Sequence, residues 1–249
     1  MKIIVIAAGS GKRIGEKTKD LPKYLLNVNG KTIQQHQLSM FKKFSYDEII
    51  VITGPHKEKF TSNECIYVED MRYHDHDVLG SLMEARKYIS GDVLIVYSDI
   101  IFDDKILSQV IEAEVEIGIA VDLDWEGKYN GRTEHPKTEA DNVLLDDQKN
   151  IKKIKKNISK DSESIIGEFI GIMKLSAKGS KIFVDKYVEL EKINPKNFHN
   201  STSFEKAYLT DMLQELIDNK IQVTPIFING KWCEIDTMQD LNIASQLFN

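Results

Sequence analysis

A glycine-rich segment at residues 7–15 and a lysine shortly after it have the residue types needed to hold a polyphosphate. Gly9 and Gly11 carry no side chain, so backbone N–H groups there can approach an anion closely. Arg13 adds a planar guanidinium that can clamp two phosphate oxygens, and Lys23 adds a point charge. The segment therefore predicts a triphosphate-binding loop.

Two familiar phosphate-binding loops do not match this segment. The dinucleotide fingerprint requires its third glycine at the position of Ile14. The P-loop requires serine or threonine after its lysine, whereas Lys12 is followed by Arg13. A tight strand-to-helix turn without a ligand is the remaining structural interpretation.

The pattern G-x-G-x-R-x-G, followed by Pro22-Lys23, resembles the signature of nucleotidyltransferases in the nucleoside-diphosphate-sugar pyrophosphorylase superfamily. These enzymes join a phosphate oxygen of an acceptor to the α-phosphorus of a nucleoside triphosphate and expel pyrophosphate. The resemblance implies that Arg13 and Lys23 are catalytic, because both positions match and both cations stabilise charge on the reacting phosphates. It also implies a homodimer.

Two aspartates stand in the contexts where this superfamily places its metal ligands. Asp99 follows the apolar run Val93–Tyr97 at a strand end, where the ligands of parallel sheets gather, and Asp236 ends a later run. Mg²⁺ prefers carboxylate oxygens, so we expect these two residues to bind it. Each is alternatively the N-cap of a following helix, a role for which Asp103 and Thr237 also qualify.

Nucleotide contacts are expected from small residues at strand ends and at a helix start. Gly80-Ser81-Leu82 is similar to the superfamily's base-contacting segment, although an ordinary helix start explains it equally well. The expected nucleotide-binding residues are Ala7, Ala8, Gly9, Ser10, Gly11, Lys12, Thr53, Gly54, Gly80 and Ser81. The loop His74-Asp75-His76-Asp77 has the composition of a metal cluster, but no third ligand is indicated. We interpret it as a polar loop, and the sequence leaves open whether it contacts substrate.

The stretch from Asp122 to Ala140 resembles the acceptor segment of a narrower group, the cytidylyltransferases of phosphocholine, 2-aminoethylphosphonate and related small phosphorylated amines or amides. Carboxylates and aromatic rings suit a cationic or amino head group, and Arg132 can hold the acceptor's phosphate with two hydrogen bonds. Packing of a flap is the alternative for the aromatic residues. The expected acceptor-binding residues are Asp122, Asp124, Trp125, Tyr129, Arg132 and Glu168.

The leading hypothesis is an Mg²⁺-dependent cytidylyltransferase that moves CMP from CTP to an acceptor of the phosphoglutamine, phosphocholine or aminoethylphosphonate type, for surface polysaccharide or lipid modification. A hexose-1-phosphate nucleotidylyltransferase using UTP or dTTP is the alternative within the same superfamily. A nucleotide-sugar-dependent glycosyltransferase would hold an activated donor and would not need Arg13 or Lys23. A non-catalytic regulator would bind the triphosphate without releasing pyrophosphate.

Composition limits the partners and the compartment. The chain has 249 residues, a net charge of −6 and a pI of about 5.6, which argue against nucleic acid as a main partner. Cys65 and Cys233 are too few for a disulfide framework or a zinc site, which fits a reducing compartment. No apolar run is long enough to span a membrane. We therefore expect a cytoplasmic protein without nucleic-acid or membrane partners.

Strand-like apolar runs alternate with helical patterns along the chain. This alternation is typical of an α/β fold with a doubly wound, mostly parallel, Rossmann-like mixed sheet, whose ligands lie at the carboxyl ends of the strands. The predicted strands are Ile3–Ile6, Ile49–Thr53, Ile66–Val68, Val93–Tyr97, Gly118–Val121, Phe169–Met173 and Val223–Ile228. The predicted helices are Ile33–Phe44, Leu79–Tyr88, Ile106–Glu114, Phe204–Asn219 and a closing helix.

A polar stretch interrupts this alternation. Residues 122–165 are expected to form an acceptor-side insertion, a small β subdomain or flap, within a single nucleotidyltransferase domain of residues 1–249. The runs Val143–Leu145 and Ile151–Ile154 flank a turn, which predicts a hairpin. We interpret the lysines at 149, 152, 153, 155, 156 and 160 as a solvated hairpin edge protected by charge, without a functional role.

Overall fold

A computed structural model of the chain describes residues 1–9, 11–159 and 164–248, without the side chains of Lys12, Glu16 and Lys17. The strands are β1 (Lys2–Ala7), β2 (Asn27–Val28), β3 (Lys31–Thr32), β4 (Ile49–Thr53), β5 (Ile66–Glu69), β6 (Val93–Tyr97), β7 (Ile100–Phe102), β8 (Ile117–Asp122), β9 (Asp141–Leu145), β10 (Ile151–Lys156), β11 (Ile165–Leu175), β12 (Thr224–Ile228) and β13 (Trp232–Glu234). The helices are α1 (Ile33–Phe41), α2 (Val78–Glu84), α3 (Asp104–Glu112), α4 (Ala177–Ile193), α5 (Leu209–Asp218) and α6 (Met238–Leu247). Within the described residues, none of these helices has the length and apolar character needed to cross a bilayer.

Nine of the described strands build one mixed sheet. Its order is β10-β9-β11-β6-β1-β4-β5, with β8 beside β11 and β12 beside β8. Strands β6, β1, β4 and β5 run parallel, as do β8 and β12, whereas β11 pairs antiparallel with β6, β8 and β9. The α/β mixed sheet that the alternation predicts is thereby confirmed.

Side chains of β1 alternate between two cores, one on each face of the sheet. Ile4 and Ile6 pack with residues of α2, α4 and α5, while Ile3 and Val5 pack with residues of α1, α3 and α6. A strand that is apolar on both faces is the pattern of a buried parallel sheet. Helices therefore cover both faces, as expected for a doubly wound fold.

The strand β11 changes partners along its length. Its first part pairs with β9 and its last part with β6. Gly171, with a φ of 77°, lies between the two parts, and a side chain there would collide with the ring of Tyr97. Glycine is the residue that adopts this backbone conformation without a steric penalty. One strand thus joins the parallel half of the sheet to the hairpin half.

Two helices differ from the sequence prediction. The helix α4 has no counterpart among the predicted helices. The helix α5 begins at Leu209 rather than at Phe204, because the carboxylate of Asp211 accepts the backbone N–H groups of Tyr208 and Asn200 and thereby fixes the helix start. Phe204 is buried in the loop that precedes α5.

The predicted lysine-rich hairpin is present as β9 and β10. The carboxylate of Asp146 accepts the backbone N–H groups of Gln148 and Asn150 and closes the turn. Lys152 and Lys153 are exposed on its edge, as the interpretation of a solvated edge requires. Lys160 lies outside the described residues.

Candidate active site

A two-stranded ladder brings two distant segments of the chain to the carboxyl end of β6. Strand β13 pairs antiparallel with β7, so that Glu234 lies opposite Ile100. The backbone N–H of Ile235 donates to the carbonyl of Asp99 at 2.7 Å. Asp99 and Asp236 thereby meet at one edge of the sheet, although they are far apart in sequence.

Neighbouring residues cap the helices that follow these two aspartates. Asp103 accepts the backbone N–H of Ile106 at 3.1 Å at the start of α3. Thr237 accepts the backbone N–H of Asp240 at 3.2 Å at the start of α6. The capping role considered for Asp99 and Asp236 is thus filled by other side chains.

The ammonium of Lys23 lies between the two carboxylates. It donates to Oδ2 of Asp99 at 2.9 Å and to Oδ1 of Asp236, and Nη2 of Arg13 donates to Oδ2 of Asp236 at 2.7 Å. Burial lowers the pKa of Lys23, but the charges of the two aspartates outweigh burial, so the pKa is raised overall. Burial raises the pKa of Asp236, and the charges of Lys23 and Arg13 reverse this, so its pKa lies well below the usual range. The Lys23–Asp236 pair is therefore ionised at neutral pH.

A buried amide on α1 holds the backbone around this cluster. The Gln37 side chain donates to two backbone carbonyls that flank Asp99, at 2.9 and 2.7 Å. The same side chain accepts the phenol hydrogen of Tyr24 at 2.8 Å, and Tyr24 directly follows Lys23. Gln37 thus ties the backbone beside the lysine to the backbone beside the aspartate.

Half of the predicted nucleotide-binding residues line one open cleft beside the ion cluster. The cleft has a volume of about 510 Å³, within the roughly 300–1000 Å³ of an ordinary small-molecule pocket. Its lining includes the predicted residues Ala7, Ala8, Gly9, Gly11, Ser81, Arg13, Lys23 and Asp99. The structure therefore brings the glycine loop, both predicted catalytic cations and one predicted metal ligand to the same space.

Three predicted nucleotide-binding residues do not line this cleft. Thr53 is buried, and its hydroxyl donates to a backbone carbonyl of β5 at 3.4 Å. A side chain at Gly54 would collide with the carbonyl of Ala8, and one at Gly80 would collide with the ring of His76. Both glycines therefore serve close packing around the cleft.

The loop His74–Asp77, for which the sequence indicates no role, borders the cleft. Tyr73, His74, His76 and Asp77 all contribute to the lining. Nδ1 of His76 lies 3.0 Å from one carboxylate oxygen of the buried Asp70, and the hydroxyl of Ser81 donates to the other oxygen at 2.7 Å. Asp70 thus fixes this loop against α2.

Two residues of the nucleotide prediction are described incompletely or not at all. Ser10 lies outside the described residues. The backbone of Lys12 belongs to a 3-10 helix over Lys12–Thr18, and nothing is described of its side chain.

A second, much smaller cavity, of about 50 Å³, adjoins the cleft and is rich in acidic groups. Its carboxyl groups belong to Asp99, Glu139, Asp141, Glu168, Glu234 and Asp236, and its cations to Arg13 and Lys156. Arg13, Asp99 and Lys156 line both spaces, so the two meet beside the ion cluster. Burial raises the pKa of Glu168 to about 8 and that of Asp141 to about 7. This acid-lined cavity favours a ligand that brings positive charge or donates hydrogen bonds.

Of the six predicted acceptor-binding residues, Glu168 is the one that the described structure places on the acid-lined cavity. Asp124 is exposed away from it. Asp122 accepts the indole N–H of Trp232 at 2.7 Å. Trp125 is buried and donates its indole N–H to a backbone carbonyl of β11 at 3.0 Å, so the packing alternative describes its contacts.

Arg132 is buried behind the cavity wall. Its Nε donates to Oδ1 of Asp240 at 2.9 Å, and its Nη2 lies 2.8 Å from Nδ1 of His135. Its guanidinium carbon lies 4.6 Å from the centre of the Tyr129 ring, and the Tyr129 hydroxyl donates to Glu168 at 2.5 Å. The phosphate contact predicted for Arg132 would require this buried ion pair to open.

Replacing Arg132 with methionine is expected to lower the free energy of unfolding by about 3–5 kcal/mol, because it leaves the buried carboxylate of Asp240 without its counter-ion. Urea unfolding followed by circular dichroism measures the loss. The matched control is Arg86→Met, which removes an exposed ion pair with Glu191 and is expected to cost at most about 1 kcal/mol. A normal free energy of unfolding for Arg132→Met, with activity lost, would instead favour the phosphate-binding role.

Sequence reasoning assigned no role to five residues that line the acid-lined cavity. They are His135, Glu139, Asp141, Lys156 and Glu234. The ammonium of Lys156 donates to Glu139 at 3.0 Å, and Lys156 lies opposite Asp141 in the hairpin register. The sequence signal that could have found Asp141 and Lys156 is the hairpin itself, which pairs the first residue of β9 with the last residue of β10.

The carboxylates of Asp99 and Asp236 fit a hard divalent cation. Oδ1 of Asp99 is buried and has no hydrogen-bond partner among the described residues, so this oxygen is left for a ligand. His135 and Glu234 place two further ligand atoms within 4.8 Å of Asp236. Carboxylate oxygens are the donors that Mg²⁺ prefers.

The chain is similar to several known proteins along almost its whole length. The chain is 26% identical to a CTP:phosphoglutamine cytidylyltransferase of Campylobacter jejuni, over 98% of both chains. It is 27% identical, over 97% of its length, to the bifunctional protein GlmU of Methanococcus aeolicus, of which it spans about half, 53%. The solved structure of the CTP:phosphocholine cytidylyltransferase from Streptococcus pneumoniae has the same fold, with a TM-score of 0.74 at 19% identity over 100% of this chain and 99% of that one.

The family model of the MobA-like NTP transferase domain matches residues 3–138, which is more than half of the chain. The matched region contains β1, the glycine loop, Lys23 and Asp99. It therefore confirms the resemblance to nucleotidyltransferases that the loop and Pro22-Lys23 indicate. The chain belongs to the MobA-like NTP transferase domain family and is a nucleotidyltransferase.

Proposed function

We propose that this nucleotidyltransferase is a cytidylyltransferase, which transfers CMP from CTP to a small phosphorylated amine or amide and releases pyrophosphate. The observation that carries the proposal is the meeting of the nucleotide cleft and the acid-lined cavity at Arg13 and Asp99. Similarity to a CTP:phosphoglutamine cytidylyltransferase along almost the whole chain supports both CTP and this class of acceptor. The product would serve surface polysaccharide or lipid modification.

The reaction needs positioning and charge neutralisation more than covalent chemistry by the protein. An oxygen of the acceptor's phosphate forms a bond to the α-phosphorus, while the bond from that phosphorus to the β-phosphate oxygen breaks. Pyrophosphate leaves with the electron pair. Arg13, whose side chain is half exposed beside the cleft, and Lys23 neutralise charge on the phosphates as it builds up on the leaving group.

Asp99 and Asp236 would hold Mg²⁺. When bound, the ion supplies Lewis-acid stabilisation of phosphate charge. Lys23 donates to the same two carboxylates, so a bound triphosphate offers its ammonium a third anionic partner. In this proposal Lys23 contacts the triphosphate while it stays beside Asp99 and Asp236.

The acid-lined cavity supports an amine-bearing acceptor. A hexose phosphate would be bracketed by amide and hydroxyl groups, whereas this cavity offers mainly carboxyl groups. In this proposal residues 122–165 are the acceptor-side insertion of a single domain that spans residues 1–249. The insertion supplies Glu139, Asp141 and Lys156 to the cavity wall.

Pyrophosphate release, measured across CTP, UTP, dTTP and ATP with a panel of acceptors, is expected to occur with CTP and a phosphorylated amine or amide. The panel contains phosphoglutamine, phosphocholine, 2-aminoethylphosphonate and glucose 1-phosphate. Turnover confined to glucose 1-phosphate with UTP or dTTP would contradict the proposal. Triphosphate binding without any pyrophosphate release would instead favour the regulator.

A further inference from the structure

Glu168 occupies the centre of a row of three polar side chains across the sheet. On β11 it lies opposite Asp122 of β8 and opposite Asn142 of β9. All three residues are buried, Glu168 to 3% exposure, and Glu168 also lines the acid-lined cavity. A carboxyl group in this position is costly unless both of its oxygens find partners.

One oxygen of Glu168 is left without a partner by the described residues. Oε1 accepts the hydroxyl hydrogen of Tyr129 at 2.5 Å, whereas Oε2 is buried and has no hydrogen bond. Asn142 makes no hydrogen bond to this oxygen. Its amide nitrogen also has no partner among the described residues, and its Oδ1 accepts the backbone N–H of Ile158 at 3.0 Å. Because Glu168 lines the acid-lined cavity, a ligand bound there can supply the partner that this oxygen lacks.

The chemistry of the head group decides whether it can satisfy this oxygen. A primary ammonium or an amide carries N–H groups and donates to a carboxylate oxygen with charge assistance. A quaternary ammonium has no N–H, so it can offer only its charge and leaves the oxygen unpaired. Aromatic rings would suit a quaternary head group. Trp125 and Tyr129 do not line the cavity but Tyr97, Phe169 and Trp232 do, so the discrimination rests on the unpaired carboxyl oxygen and not on a lack of rings.

We propose that Glu168 is the specificity-determining residue for the acceptor, and that it selects a phosphorylated head group with N–H donors over a quaternary ammonium. The inference rests on the proposed function and narrows its acceptor class to amines and amides that carry at least one N–H. Burial raises the pKa of Glu168 to about 8, so its carboxyl group is mostly neutral at pH 7 without a ligand, and a bound ammonium would favour its ionised form. Tyr129 acts as a positioning residue, because its hydrogen bond to Oε1 fixes the direction of Oε2.

Binding of an N-methylation series tests the proposal directly. Phosphoethanolamine, its N-methyl and N,N-dimethyl derivatives and phosphocholine are titrated into the protein by calorimetry, with and without a non-hydrolysable CTP analogue. The three compounds that carry an N–H are expected to bind with similar affinity. Phosphocholine, which has none, is expected to bind about 10- to 100-fold more weakly, because one charge-assisted hydrogen bond is lost. The readout is binding alone, so it is independent of turnover.

Two variants locate the effect. Glu168→Gln keeps the shape of the side chain and the acceptor for Tyr129 but replaces Oε2 with an amide nitrogen that can only donate. It is expected to shrink the preference for N–H donors to within about threefold. Glu116→Gln removes an exposed carboxylate that pairs with Lys178 and lines neither the cleft nor the acid-lined cavity, and it is expected to keep the wild-type preference. Circular dichroism confirms that both variants are folded.

Three outcomes would overturn the proposal. They are equal binding of phosphocholine and phosphoethanolamine by the wild type, no binding of any of the four compounds at millimolar concentration, and an unchanged preference in folded Glu168→Gln. Failure of the proposed function is recognised separately, as the absence of pyrophosphate release from CTP with every acceptor.

Discussion

Replacing Asp99 with asparagine is expected to lower kcat by about a thousandfold or more while leaving the fold intact, because the charge that would hold the metal is lost. Asparagine keeps the volume of the side chain, and the backbone carbonyl of Asp99 keeps its hydrogen bond from Ile235. The ladder of β7 and β13 is therefore undisturbed. Pyrophosphate release at saturating CTP and acceptor measures kcat, and thermal unfolding reports the fold.

A nearby aspartate provides the matched control for Asp99. Asp103 caps α3 and accepts the backbone N–H of Lys231 at 2.8 Å, outside both the cleft and the acid-lined cavity. Asparagine caps a helix about as well as aspartate, but it offers a single acceptor oxygen for the two N–H groups that Asp103 holds. Asp103→Asn is therefore expected to lower stability by about 1–3 kcal/mol and to leave kcat unchanged. Near-normal kcat in Asp99→Asn would remove Asp99 from the site.

Replacing Lys23 with methionine is expected to lower kcat by about a hundredfold or more, because the charge on the leaving pyrophosphate loses its cation. The same change removes the counter-ion that Asp99 and Asp236 share. Added Mg²⁺ is therefore expected to raise the melting temperature of Lys23→Met more than that of the wild type. Steady-state kinetics and thermal unfolding with and without Mg²⁺ measure the two effects.

The control for Lys23 is Lys43→Met, which removes an exposed ion pair with Asp104. This variant is expected to match the wild type in kcat and in its response to Mg²⁺, since exposed pairs contribute little. An unchanged kcat in Lys23→Met at saturating substrates would exclude Lys23 from catalysis. An unchanged response to Mg²⁺ would show that the two carboxylates do not form the metal site.

The sequence predicts well those strands and helix caps that depend only on neighbouring residues. The continuous apolar runs become the buried strands β1, β4 and β6, because such runs can be satisfied only by burial on both faces. The glycine loop follows the first run directly and lines the cleft. Caps are equally local, and Asp103 and Thr237 occupy them as the alternatives allowed.

The contacts of the predicted acceptor-binding residues are harder to predict, because they join residues that are distant in sequence. Nothing in the local sequence shows that Arg132 turns inward to Asp240, which belongs to α6 at the other end of the chain. The same holds for Trp125, whose neighbourhood of short 3-10 turns has no hydrophobic period to reveal its direction. Lys156 is exposed like other lysines of β10. Only the hairpin register shows that it lies opposite Asp141.

The shared strand β11 has a consequence for how the protein is made. Strands β1, β4 and β6 emerge early in synthesis, but one edge of β6 stays unpaired until residues 172–175 are available. Pairing between segments so distant in sequence is slow, and an open apolar edge meanwhile invites association with other chains. The family match ends at residue 138, before this strand. The parallel half of the sheet therefore completes its pairing only together with the hairpin half, so the latter acts as an internal folding partner.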